Sequence, residues 1–277
     1  MLALAYGGRF SGPALLEYAI SAPVNTPADQ ALGLAPGQLQ RALAGSSPSA
    51  MATQLMALSA QSQLSGLPHI WAGAIGETLM GVPPEPALWP KAGELAAHLA
   101  YAGYGDRAAQ WYDDIRARSS QSGANTGDVA AARAVLQVWP WALVANPKGR
   151  AGFSIRVAEL WLQTYGMDES GGILPTAKLF FAVLEGLGYD LGAALRVAVD
   201  GTLTPLPAAL PAMDAAAAKG QVGVTLLEGV KVLGSAGTME PVPATLRSVL
   251  ANLRLVGHDD LARALAVEAM LHGGLAR

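Results

Sequence analysis

Asp113 and Asp114 are the adjacent carboxylates in this chain with the best case for acid–base or metal chemistry. On a helix, however, neighbouring residues point about 100° apart, so the two do not chelate one ion by themselves. Arg116 and Arg118 follow directly, and the run reads as a solvated helix face with local ion pairs. The four histidines, His69, His98, His258 and His272, are scattered and form no H-E-x-x-H zinc pattern. His98 lies beside the apolar stripe of Leu95 and Leu99 and reads as a histidine at the edge of a core. His258 sits by Asp259 and Asp260, where hydrogen bonding at a helix start explains it.

Other chemistry has no motif. There is no G-x-S-x-G elbow, Walker loop or G-x-G-x-x-G turn. Asn146-Pro147-Lys148-Gly149-Arg150 reads as a basic connector, and Asp168-Glu169-Ser170-Gly171-Gly172 as a turn with too few ligands for a metal. No catalytic residue, cofactor or metal is therefore expected. The aromatic distribution is the stronger signal. All six tryptophans fall within residues 71–161. Trp71, Trp111, Tyr112, Trp139, Trp141 and Trp161 are expected to line a groove for a partner, since Trp and Tyr dominate binding hot spots. Pro140 between Trp139 and Trp141 is expected to kink its helix and put the two rings on different faces.

Composition narrows the class. The 277 residues are rich in alanine and leucine, strong helix formers, and only 14% are charged. Few charges imply apolar surface that meets a partner or another copy. A net charge of −3 leaves no basic field for phosphates, which argues against nucleic acid. Mean hydropathy is +0.31, yet no run of about 18 residues is free of charges and breakers, so no membrane span is expected and the chain reads as soluble. The absence of cysteine suits cytoplasm or periplasm and decides neither. The apolar start, MLALAYGGRF, lacks the basic n-region of a signal peptide. Richness in Ala, Gly and Pro points to a GC-rich bacterial source.

The elements that would position these residues are helices. Two proline-rich breaks, Val82 to Pro90 and the stretch carrying Pro205, Pro207 and Pro211, cannot be continuous helix. Between them the apolar spacing is helical. Leu246, Val249, Leu250 and Leu253 follow i, i+3, i+4, i+7, and so do Leu179, Phe180, Val183, Leu184 and Leu187 one register over. Leu95, Leu99 and Ala102 form a shorter stripe. Pro243 suits a first helical turn, and Asp106, Asp128 and Asp259 suit helix starts. We expect an all-α chain of about ten to twelve helices, with those of residues 1–81 at 13–21, 36–44, 48–62 and 69–80. Residues 1–81 would be an N-terminal segment or cap, 91–201 a central repeat region and 214–277 C-terminal hairpins, forming one continuous domain.

A short pattern recurs three times: Gly103 to Ala108, Gly188 to Ala193 and Gly257 to Ala262. Around each, two amphipathic helices would fold back on each other, with glycine allowing the positive φ of a helix C-cap. The run from Leu95 to Tyr112 resembles a tetratricopeptide repeat. The resemblance implies that Gly103 closes the turn, Ala108 lets the helices approach and Tyr112 fills the gap. It gives the same parts to Gly188, Ala193 and Val197, with Pro205 closing, and to Gly257, Ala262, Ala266 and Ala269. The family's early tryptophan is replaced by Ala92, Ala177 and Leu246, and the glycines lie 85 and 69 residues apart instead of one period of about 34. The implied architecture is a degenerate helical-hairpin array, α-solenoid-like, that binds proteins. Two alternatives remain. One is an α/α-toroid enzyme on a glycan or isoprenoid using Glu77, Glu94, Asp113, Asp114 and Asp168. The other is a self-assembling structural protein.

Overall fold

The computed structural model describes residues 41, 44, 47–62, 75–121, 126–146, 152–193, 195–196, 207–234, 237–238 and 242–275. The expected helices at 13–21 and most of 36–44 and 69–74 lie outside these residues, as do Trp71, His69, Val197 and Pro205. The described residues are all-α. Ten α-helices and one 3-10 helix have described bounds, and the only extended pairing among them is an isolated bridge between Met167 and Ile173.

Two compact units divide the chain, residues 1–138 and 139–277. The division falls next to Pro140, inside the helix α4 (Thr126–Ala145), and coincides with neither proline-rich break. Helix α4 continues through Pro140, which is buried with Trp139 and Trp141 on either side.

The first unit holds α1 (Pro48–Ser62), a helical turn at 75–79, the 3-10 helix Pro86–Lys91, α2 (Ala92–Tyr101) and α3 (Gly105–Gln121). The expected helix at 48–62 is α1. The proline break behaves as its chemistry dictates: 82–85 is not helical and 86–91 winds as 3-10. Helix α2 is buried along Ala92, Gly93 and Leu95 to Ala100, leaving Glu94 half-exposed. An apolar helix of this kind needs cover on more than one side, and α2 packs on α3 and the 3-10 helix. Gly93 lets α4 approach as well, since a Cβ there would stand 3.0 Å from that of Gln137.

The second unit contains α5 (Ile155–Tyr165), α6 (Pro175–Gly186), α7 (Leu210–Ala218), α8 (Val222–Leu233), α9 (Pro243–Leu255) and α10 (Asp259–His272). Pro175, Pro211 and Pro243 open α6, α7 and α9 in the first turn, where a missing N–H costs nothing. The stripes Leu179 to Leu187 and Leu246 to Leu253 are buried as their spacing predicts.

The hairpin turns share one geometry. Gly103, Gly188 and Gly257 have φ of 86°, 78° and 87°. At each, the next residue's N–H reaches back five residues: Tyr104 to Leu99 (2.8 Å), Tyr189 to Leu184 (2.9 Å) and His258 to Leu253 (2.9 Å). The glycine N–H meanwhile bonds three residues back, completing the Schellman motif. Gly220 makes a further copy, with φ 66° and Gln221 bonded to Ala216 at 3.0 Å. Five residues beyond the glycine, Ala108, Thr225 and Ala262 are fully buried, but Ala193 is exposed.

The order of packing departs from a linear array. Helix α6 packs most extensively on α9, past the intervening α7–α8 hairpin, and α9 also contacts α7, α8 and α10. In a solenoid each repeat meets only its neighbours in the chain. Here Gly186 opens the direct route: a Cβ on it would stand 2.7 Å from the Arg247 carbonyl and 3.0 Å from the Leu250 side chain. The all-round burial of α6 from Leu179 to Leu184 requires cover from several directions, which α9 and α10 supply.

Candidate functional site

Of the residues expected to line a groove, the four described tryptophans are core residues. Trp111, Trp139, Trp141 and Trp161 are all buried. In the second unit, Trp139 meets Phe180 edge-on at 5.5 Å and Trp161 lies 4.7 Å from Phe180 and 6.0 Å from Phe181. These geometries are the tilted and T-shaped packings aromatic rings prefer. Trp139 and Trp161 are thus brought together, but as the filling between α4, α5 and α6. Buried rings offer no surface to a partner, so this part of the expected groove is corrected to core. Trp111 and Tyr112 belong to the first unit, where Tyr112 is half-buried. Burial raises the Tyr112 phenol pKa and the Asp113 charge adds to this, while Arg116 opposes it by charge and hydrogen bond.

Trp111 takes part in a different arrangement. Its Nε1 donates to the Val82 carbonyl at 3.1 Å, and Arg107 Nη2 donates to the same oxygen at 3.0 Å. Arg118 Nη1 donates to the Pro84 carbonyl at 2.9 Å, as Trp89 Nε1 does at 3.2 Å. Arg107, Trp111 and Arg118 sit at i, i+4 and i+11, one stripe of α3. The proline-rich segment is therefore a strap laid along that stripe, its carbonyls turned to three side-chain donors. Glu85, at its outer side, accepts from the Ser49 hydroxyl at 2.9 Å.

The described candidate carboxylates and His98 lie in separate surroundings. Asp113 and Asp114 are exposed on α3. Glu77 accepts from the Tyr104 hydroxyl at 3.3 Å, a bond that with burial raises the tyrosine pKa. Glu94 is raised by burial, partly offset by Lys91. Asp168 is occupied by its own turn: Oδ1 accepts from the Ser170 hydroxyl (2.6 Å), the Gly172 N–H (2.8 Å) and the Ser170 N–H (2.9 Å), which lower its pKa. His98 is buried, its Nδ1 has no hydrogen-bond partner, and burial lowers its pKa to about 4. Among the described residues no three His, Asp or Glu side chains are grouped to hold a metal ion.

A surface feature passed over in the sequence lies on α8. Val224, Leu227 and Val230 are 46%, 57% and 69% exposed and run down one side of the helix. The only charged pair on the helix is Glu228 with Lys231 at 2.6 Å. The opposite side carries buried Thr225, Gly229 and Val232 against the rest of the unit. The signal was present in the sequence: VGVTLLEGVKVL carries apolar residues on more than one side with Glu228 and Lys231 as its charges, and apolar residues beyond the packed side mark a face that is covered or docks something. No helix among the described residues is long and apolar enough to cross a membrane. Neither a family model nor a curated protein nor a solved structure matches this chain, so the sites themselves carry the functional reading.

Proposed function

We propose that this chain is a non-catalytic protein-binding module, a degenerate relative of tetratricopeptide-like hairpin proteins, whose docking surface is the outer face of α8. The observation that carries this reading is the exposure of Val224, Leu227 and Val230 on a helix whose other side buries Thr225, Gly229 and Val232. An apolar helix face of this kind suits the apolar face of a partner helix. The scattered carboxylates favour binding over the toroid-enzyme alternative, since among the described residues no three His, Asp or Glu side chains are grouped. The hairpin spacing adds support for the family resemblance. With Gly220 included, the turn glycines of the second unit stand 32 and 37 residues apart, bracketing a tetratricopeptide period of about 34.

The test is site-specific photo-crosslinking from position 227 in the native cell, with mass spectrometry of the adducts. A recurrent heterologous adduct, lost when Val230→Asp is added, supports the module. Adducts only between copies, with mass rising with concentration, would move the reading to self-assembly through the same face. An absence of adducts at position 227 alongside adducts elsewhere on the chain would refute docking on α8.

A further inference from the structure

The α7–α8 hairpin carries four charged side chains, Asp214, Lys219, Glu228 and Lys231. Both acids are engaged. Asp214 is turned to α9, where it accepts from Asn252 Nδ2 at 2.6 Å. Glu228 is mostly covered, with 14% of its side chain exposed, while its partner Lys231 keeps 54%. Lys231 continues the apolar row, since Val224, Leu227 and Lys231 stand at i, i+3 and i+7 on α8. Lys219 is exposed in the turn before α8 and has no ion pair among the described residues. The first turn of α8 also lacks a side-chain cap, so the positive end of its dipole lies toward Lys219. The exposed face is thus apolar in the middle and positive at both ends. Those ends are about 18 Å apart, the length of a 12-residue helix. Gly223 leaves room for close approach, because a Cβ there would meet nothing within 4 Å.

We infer that the occupant of the α8 face is an acidic amphipathic helix of another protein, its apolar stripe over Val224, Leu227 and Val230 and its carboxylates near Lys219 and Lys231. The inference rests on the docking face proposed above and adds the charge of the partner. Charge at the rim sets register and rejects basic helices, while the apolar row supplies the contact. A lipid surface fits this face less well, since α8 has no aromatic ring to anchor it at a bilayer interface and a single lysine.

The experiment titrates three acetylated and amidated helical peptides of about 16 residues into the full-length protein. They share one Leu/Ala stripe and carry Glu, Gln or Lys in both end turns. The Glu peptide is expected to bind about tenfold more tightly than the Lys peptide at about 50 mM salt, with a gap that narrows at about 500 mM. Lys219→Glu/Lys231→Glu should reverse that order, which a difference in peptide helicity cannot do. Leu227→Gln should weaken all three peptides. Three peptides that bind alike, yet are all weakened by Leu227→Gln, would overturn the acidic partner and leave the docking face standing. No binding, or binding that Leu227→Gln does not alter, would overturn both. Mass that rises with concentration in the wild type but not in Leu227→Gln would give the face to a second copy. Binding to phosphatidylserine vesicles that is lost in the same variant would give it to a membrane, and either result would overturn the inference.

Discussion

Arg263 Nη1 donates to the carbonyl of Val144 at 2.8 Å, and the same nitrogen reaches Asn146 at 3.2 Å. A guanidinium from α10 thus caps the C-terminal end of α4, where unpaired carbonyls and the negative end of the helix dipole favour a cation. The Tyr189 hydroxyl adds a bond to Leu143 at 2.9 Å. Asp259 completes the arrangement by accepting from Arg263 Nε at 2.7 Å and Arg254 Nε at 2.9 Å, while Arg254 Nη1 reaches the Gly186 carbonyl at the end of α6. Two helix ends in one unit are closed by arginines that share one carboxylate.

Removing Arg263 takes a donor from the carbonyls at the end of α4 and leaves Asp259 with Arg254 alone of the two arginines. Because the side chain is only 5% exposed, Arg263→Ala is expected to cost about 3 kcal/mol. Arg263→Lys restores the charge but not the fork of donors, and should recover only part of the loss. Urea unfolding followed by far-UV circular dichroism measures both. Equal stability of Arg263→Ala and wild type would show that water satisfies these carbonyls.

His98 predicts an acid-labile first unit. Its folded pKa of about 4 lies below the ordinary value near 6.5. The unfolded chain therefore takes up the proton first as pH falls. Stability is complete above about pH 6.5 and declines between there and about pH 4, by about 3 kcal/mol in all. Glu94 acts in the opposite sense, since its raised pKa makes the folded form bind a proton earlier. His98→Leu should flatten the slope between pH 6.5 and 4. An unchanged slope in that variant would assign the acid lability to other groups.

Asp259 contributes at lower pH. Burial pushes its pKa up, but the hydrogen bonds and charges of Arg263 and Arg254 outweigh this and leave it lowered. Its contribution is present above the unfolded value near 3.9 and is lost as pH falls through the folded value. Asp259→Asn should cost about 1 kcal/mol at neutral pH and less at pH 3, below the unfolded value, where protonation has begun to erase the contribution. Thermal unfolding at the two pH values separates these cases.

The turn glycines should be sensitive for two different reasons. Gly257 has open space around its missing Cβ, so Gly257→Ala carries only the strain of φ 87°, about 1 kcal/mol. Gly257→Asn should cost less, as asparagine tolerates the left-handed region. Gly186→Ala is a packing change, since its Cβ would press on the Arg247 carbonyl, and should cost about 1–3 kcal/mol. A Gly186→Ala penalty no larger than that of Gly257→Asn would mean that α6 and α9 separate easily.

On α8, Leu227→Lys should change stability by less than about 0.5 kcal/mol, because the side chain is already exposed. Binding of a partner through this face should nevertheless be lost. A marked fall in melting temperature would instead show that Leu227 is covered within the folded chain.

Much of this architecture is written locally in the sequence. The stripes of α6 and α9 could be read because helical periodicity depends only on residues three and four apart. The glycine turns could be read because a left-handed C-cap favours one residue type. Gly220 escaped notice because Thr225, not alanine, follows at the fifth position, although either is small enough to be buried there. What tertiary structure alone decided is which face each element turns inward, and against what. The clustering of Trp111, Trp139, Trp141 and Trp161 along the chain says that large rings are present. Whether they line a groove or fill a core depends on which helices cross over them. Val82 to Pro86 announces a break in helix, but its docking on α3 rests on donors 25 to 34 residues away. The direct packing of α6 on α9, past a whole hairpin, is likewise a contact between distant segments, set by the close approach that Gly186 permits.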